Sequence, residues 1–294
     1  MSDLDKNKQL KLIGIDLDGT LLSIRKKVTK KVIGSLLELR KKLPNIVIAI
    51  ITGRSYLSAK RVVNELQEAG VKINYLCSYN GSVLFKINEQ SELIKLDEHS
   101  IDSLTTKAIF DYCTKNKIVF QGYLVTDQVN RSIVLSDNFS GRLIASFNKN
   151  KSFCSKDFVD GRYYKINLIS SNHKRLKRFN QFVSENYSDD LEIANIYPTF
   201  LEITTKNINK AFALASICDL ENISLEQTAV IGDSLNDYSM FEIASYKFAM
   251  KRANKKLKDI STYIASSRRH NQFKEIIQKT IAIVDDEKNN SYLR

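Results

Sequence analysis

Asp16 and Asp18 stand one residue apart, with no basic residue between them, directly after the apolar run 12–15 and directly before Gly19 and Thr20. Two acids at that spacing can divide a reaction. One carboxylate binds a metal ion and attacks phosphorus, and the other manages the proton of a leaving group and then of water. Three other short segments carry matching chemistry. Thr52, Gly53 and Arg54 follow the apolar run 46–51. Lys210 opens an apolar helical stretch after the run 199–204. Gly232, Asp233, Asn236 and Asp237 follow "TAVI". Carboxylates brought together repel one another unless a cation joins them. A site of hard oxygen ligands with few protein groups suits Mg²⁺ and a substrate phosphate. A hydroxyl, a lysine and a helix N-terminus are what the phosphate itself requires.

The elements needed to bring these segments together are legible. Residues 10–15, 46–51 and 228–232 read as strands, and their apolar runs, 12–15 in the first, predict burial on both faces. Between them, Val32, Ile33, Leu36, Leu37 and Leu39 recur at helical spacing behind a candidate N-cap, Thr29. Ala59, Val62, Val63 and Leu66 form a second helical stripe, closed by Gly70. Asn80-Gly81 between two β-prone runs predicts a hairpin. Strands alternating with helices predict an α/β fold with a Rossmann-like parallel sheet, and ligands bind such sheets beyond the carboxyl ends of the strands. The middle of the chain differs. Helices are expected at 101–114 and 172–187, and short strands at 118–125, 131–135 and 162–169, so an α+β module interrupts the α/β domain. The expected boundaries are 1–85 with 190–294 for the core and 86–189 for the insert, with 191–204 as strands returning to the core.

Composition narrows the class. The chain has 294 residues, 43% of them hydrophobic and 27% charged, enough for a large domain with an insertion. No run reaches the roughly 20 apolar residues that span a bilayer, and the polar start is not a secretory signal, so a cytoplasmic location and no membrane partner are expected. The four cysteines, at 77, 113, 154 and 218, show no CxxC spacing and read as small buried apolar residues. His99, His173 and His270 form no ligand pattern and read as surface residues. The net charge of +12 raises nucleic acid as a partner. A Lys-rich, Trp-free, Pro-poor composition is also what an A/T-biased coding sequence produces, and that reading is preferred. Positive charge equally favours an anionic substrate.

"DLDGTLL" (16–22), "ITGR" (51–54), a lysine before an apolar helix (Lys210) and "GDSLND" (232–237), in that order, resemble the haloacid dehalogenase-like (HAD) phosphatases. The insertion between the second and third motifs, with "NGSVLF", "FLEIT" and "FAM", resembles the Cof-type sugar-phosphatase branch with its large cap. The resemblance runs over nearly the whole chain from about residue 10. It implies a Mg²⁺-dependent phosphomonoesterase acting on a small phosphorylated metabolite through an aspartyl-phosphate on Asp16. It implies Asp18 as general acid/base and, through its carbonyl, a metal ligand. Thr52, the Gly53 N–H and Asn236 are then phosphate-binding, Lys210 offsets charge on Asp16, and Asp233 and Asp237 support the metal. The cap is implied to close over the site and select the substrate.

Three positions depart from the family pattern. Ala211 stands where Gly is frequent, Lys251-Arg252 where Gly-Asn is usual, and Gln272-Phe273 where Gly-Val is usual. These leave the acids in place and bear on the substrate. A phosphosugar mutase using the same intermediate, an idle phosphosugar sensor and a nucleic-acid-binding protein stand as alternatives.

Overall fold

A computed structural model describes residues 9–126, 132–147 and 152–292. The chain divides into two compact units, residues 1–96 with 210–294, and residues 97–209.

The first unit is built on an eight-stranded sheet. Its strands are β1 (Leu12–Ile15), β2 (Val47–Ile51), β3 (Tyr75–Ser78), β4 (Val83–Ile87) and β5 (Leu93–Glu98), the last of which runs two residues past the division. In the second unit follow β6 (Val119–Leu124), β7 (Ile133–Ser136), β8 (Ser152–Ser155), β9 (Tyr163–Ile169), β10 (Leu191–Tyr197) and β11 (Phe200–Thr205). The chain then returns with β12 (Thr228–Gly232), β13 (Tyr246–Ala249) and β14 (Tyr263–Ile264). The order in the first sheet is β14-β13-β12-β1-β2-β3-β4-β5. The pairs from β14 to β3 are parallel, and β4 turns back antiparallel on β3.

The continuous apolar runs have the expected consequence. Every residue of β1, β2, β3 and β12 is buried. Helices α1 (Lys30–Lys42) and α2 (Tyr56–Glu68) follow β1 and β2. Thr29 caps α1 by accepting from the Val32 N–H at 3.3 Å. Gly70, at φ +83°, ends the second helix in the left-handed conformation that suits glycine. The Asn80-Gly81 hairpin also forms, with Tyr79 at φ +54° and Asn80 at φ +61°. Because β1 pairs with β12 on one side and β2 on the other, the strand order reverses there. The carboxyl end of β1 is the switch point at which such sheets open a crevice.

In the second unit α3 (Ser103–Lys115), α4 (Phe139–Ser146) and α5 (His173–Asn186) accompany a six-stranded sheet of order β10-β11-β9-β6-β7-β8. Ile109, Phe110, Phe120, Ile166, Leu168, Phe179, Leu201 and Ile203 form its core. The expected boundaries at 85/86 and 189/190 are therefore moved. Strands β4 and β5 extend the first sheet past residue 85. Strands β10 and β11, expected to return to the core, pair with each other and with β9. Leu201 and Ile203 find their burial among the apolar residues of this unit. Of the strand expected at 131–135, residue 131 lies outside the described residues.

The first unit is completed by α6 (Lys210–Glu221), α7 (Tyr238–Ile243), α8 (Lys255–Asp259) and α9 (Gln272–Tyr292), the last packing against α1. The helix expected from about Asn254 is thus the short α8, which Asn254 caps. Cys77, Cys113 and Cys218 are buried and no cysteine is bridged. His173 and His270 are exposed, whereas His99 is half-buried and meets Asp97 at 2.8 Å. No helix among the described residues is long and apolar enough to cross a membrane.

Candidate active site

The residues singled out by spacing meet at the carboxyl ends of β1, β2 and β12, all within the first unit. β1 delivers Asp16, whose N–H donates to the Ile231 carbonyl at 3.0 Å. The chain then kinks. Gly19 adopts φ +83°, and a Cβ built there would fall 2.0 Å from Asp233 Oδ2, so the turn closes on Asp233 only because residue 19 has no side chain.

Lys210, the first residue of α6, is fully buried. It donates to Asp16 Oδ1 at 2.6 Å and to Asp237 Oδ1 at 2.6 Å. The other oxygen of Asp237 accepts the N–H groups of Asp233 and Ser234 at 2.8 and 2.9 Å. Asp237 therefore ties the 232–237 loop to the lysine with both oxygens. Carboxylate oxygens of Asp16, Asp233 and Asp237 lie within 4.8 Å of one another.

The electrostatics are those of an undercompensated acid cluster. Burial, more than the neighbouring Asp237 charge, holds the Asp16 carboxyl well above the ordinary range, with Lys210 pulling the other way. Burial and then Asp237 push Asp233 up to about 7. Burial opposes the charge on Lys210, but Asp16 and Asp237 outweigh it and raise its pKa. Asp233 Oδ1 is buried and has no hydrogen-bond partner. A buried carboxylate oxygen without a donor is costly unless a cation or water reaches it. Three hard-oxygen acids against one lysine thus fit a divalent cation.

Asp18 sits in a different environment, with its side chain half-exposed. Arg54 grips it at 2.6 Å through Nε and 2.6 Å through Nη2. Burial works against its charge, but the Arg54 hydrogen bond and charge outweigh burial and hold the carboxyl below the ordinary value. The Asp18 side chain is thus turned to Arg54 and is not one of the three clustered acids; its expected metal contact was through the carbonyl.

Thr52 is buried at the end of β2, and its Oγ1 accepts the Arg54 N–H at 3.2 Å. Asn236 Nδ2 donates to Asn80 Oδ1 at 3.1 Å. A Cβ on Gly53 would come within 2.7 Å of that same Asn80 oxygen. Asp16, Asp18, Thr52, Gly53, Lys210, Asp233, Asn236 and Asp237 are therefore all placed around the one switch point. Two residues had no assigned role, Arg54 as the partner of Asp18 and Asn80 as the partner of Asn236. Their signals were present: Arg54 ends "ITGR" and Asn80 opens the hairpin turn after β3.

Comparison with known proteins identifies the family. The family model for haloacid dehalogenase-like hydrolases matches residues 13–277, and the chain belongs to that family. It is 32% identical over 270 residues to a candidate phosphatase of Mycoplasma pneumoniae, covering 90% of this chain and 96% of the relative. It is 25% identical over 272 residues to the 5-amino-6-(5-phospho-D-ribitylamino)uracil phosphatase YcsE of Bacillus subtilis, covering 91% and 94%. Among solved structures, the HAD subclass IIB sugar phosphatase BT4131 superposes with a TM-score of 0.73 at 21% identity, covering 92% of this chain and 98% of that one. The fold is that of the HAD hydrolases, and the protein is an enzyme of that class.

Proposed function

We propose that the protein is a Mg²⁺-dependent phosphomonoesterase that hydrolyses small phosphorylated metabolites, with sugar and polyol phosphates as the leading class. The observation that carries the reading is the buried cluster of Asp16, Asp233 and Asp237 against Lys210, with Asp233 Oδ1 left without a partner. The B. subtilis relative is named for a phosphorylated ribityl compound, and BT4131 for sugar phosphates; both support that substrate class.

Asp16, Asp233 and the Asp18 carbonyl would hold Mg²⁺, with Asp237 behind them. When bound, the ion neutralises the acids and the phosphate oxygens and makes attack by one anion on another feasible. Lys210 occupies Oδ1 of Asp16 and so orients the carboxylate. Thr52 Oγ1, the Gly53 N–H and Asn236 bind the phosphate oxygens.

Asp16 attacks phosphorus in line. A bond forms between its oxygen and phosphorus, the ester P–O bond breaks, and the leaving oxygen takes a proton from Asp18. Asp18 then removes a proton from water. The resulting hydroxide attacks the phosphorus of the aspartyl-phosphate, the Asp16–phosphorus bond breaks, and inorganic phosphate leaves. Lys210 and the N–H donors stabilise charge on the equatorial oxygens.

The test is phosphate release from p-nitrophenyl phosphate with Mg²⁺ and with EDTA, on wild type and Asp16→Asn. Mg²⁺-dependent release that disappears in the variant supports the scheme. Equal release from Asp16→Asn, or release untouched by EDTA, overturns it. A requirement for a sugar bisphosphate activator would instead mark a mutase.

A further inference from the structure

A cavity of about 690 Å³ opens in the first unit beside the 17–22 turn, whose residues Gly19 and Thr20 are part of its lining. Leu21, Leu22, Val32, Met250 and Phe273 give it an apolar floor. Arg25, Lys30, Lys31 and Arg269 line it as well, all four exposed, with His270 beside them. No Asp or Glu is among its lining residues. None of Asp16, Thr52, Lys210, Asp233, Asn236 or Asp237 lines it, so it adjoins the acid site through Gly19 without including the acids.

The mouth is a built feature. Residues 23–27 fold into a turn in which the Lys26 N–H donates to the Ser23 carbonyl at 2.8 Å and the Lys27 N–H to Ser23 Oγ at 3.2 Å. That turn presents Ile24 at 72% exposure, an apolar side chain standing in water beside four cations. Lys31 Nζ is fixed by Asn271 Oδ1 at 2.9 Å, which joins α1 to the turn before α9 and forms one wall. An apolar floor with cations and no acid among its lining residues is complementary to a molecule with an apolar body and an anionic head.

We propose that this cavity is a binding site for a small amphipathic anion, an alkyl or acyl chain ending in a phosphate, sulfonate or carboxylate. The chain covers Ile24 and lies on the Leu21, Leu22 and Phe273 floor, while the head meets Arg25, Lys30, Lys31 and Arg269. The chemistry needs both parts. A bare anion gains only screened surface attraction, and a neutral chain leaves the cations without a partner.

The test is isothermal titration of the full chain with octane-1-sulfonate, a probe with both parts and no phosphoryl group to transfer. Methanesulfonate supplies the head alone and octan-1-ol the chain alone. Two variants of exposed residues are titrated beside wild type: Lys30→Glu with Arg269→Glu together, and Ile24→Asp. Saturable binding at one site per chain, weakened by about tenfold or more in each variant and for each part alone, is the expected result. The absence of saturable binding to wild type overturns the proposal, as does a loss below about tenfold in either variant or equal binding of methanesulfonate. Circular dichroism and urea midpoints matching wild type establish that the variants are folded. The readout is binding alone, so a failure of the phosphatase reading leaves it intact.

Discussion

Replacing Lys210 with Met isolates what holds the acid cluster together. Lys210 is fully buried and makes two contacts of 2.6 Å, to Asp16 and Asp237. With an effective dielectric of about 20, each contact is worth roughly 6 kcal/mol of gross Coulomb attraction. Three carboxylates at up to 4.8 Å repel one another by about 3.5 kcal/mol or more per pair in the same terms. The ammonium also gives back several kcal/mol in desolvation. Methionine preserves the stem and removes the charge, leaving the repulsion in place. Asp16 and Asp233, both already raised in pKa, can take up protons instead, which caps the net cost. Lys210→Met is therefore expected to lose about 3–5 kcal/mol of stability at neutral pH, the usual toll of leaving a buried charge without its partner. It is expected to lose about 10²–10³-fold in turnover. Urea unfolding with and without Mg²⁺ reads the first quantity and phosphate release the second. On the proposed function, saturating Mg²⁺ should recover part of the lost stability, as an ion that binds only the folded cluster would. A variant within about 1 kcal/mol of wild type without Mg²⁺ would refute the reasoning, since the cluster would then not need its cation.

Gly19→Ala places a methyl group 2.0 Å from Asp233 Oδ2 at a φ of +83°. It is expected to weaken Mg²⁺ activation by about tenfold or more, read as the Mg²⁺ concentration at half-maximal activity; an unchanged Mg²⁺ profile would show that Asp233 does not hold the ion. Glu275 accepts hydrogen bonds from Tyr263 Oη at 2.7 Å, the Ser266 N–H and Oγ at 2.8 Å each and the Ser267 N–H at 2.8 Å. Burial opposes its charge, but these donors outweigh burial and bring the carboxyl down from 4.5 to about 2. A depressed carboxyl stabilises the fold fully above its unfolded value and loses that contribution as pH falls through the folded one. After discounting for solvent screening, Glu275→Gln should cost about 1–2 kcal/mol at pH 7. The gap to wild type should close as pH falls from 4.5 toward 2; a gap that persists at the acid end would assign the loss to packing.

The parts of the fold that read well from the sequence are those fixed by short-range rules. A continuous apolar run such as 46–51 can only be buried on both faces, and Thr29, Gly70 and Asn80-Gly81 each satisfy a local backbone demand. The placement of β10 and β11 did not read, because "LEIANIYPTFLEIT" offers a hairpin without naming its partner. Leu201 and Ile203 would satisfy burial in either sheet, and only the pairing with β9 decides. Helix α4 was missed for the opposite reason. Its large apolar residues Phe139 and Leu143 are 86% and 52% exposed, so they carry no buried stripe. At the site, the positions of the acids were legible from motif order, but the Asp18–Arg54 pair was not. It joins residues 36 apart across two strand ends, a distance over which spacing carries no information.

That pair sharpens the division of labour between the two acids. Asp16 and Asp18 are separated by one residue, yet they stand in opposite surroundings. Asp16 is buried among carboxylates and held high in pKa, while Asp18 is half-exposed on an arginine and held low. As the proposed base, Asp18 is in the required form as it stands, ionised and reachable by water. As the proposed acid it needs a proton, and a carboxyl that carries one is a poor partner for Arg54. The leaving-group step therefore starts from an Asp18 released from Arg54, whereas the hydrolytic step starts from the ionised, Arg54-bound form and ends with it protonated.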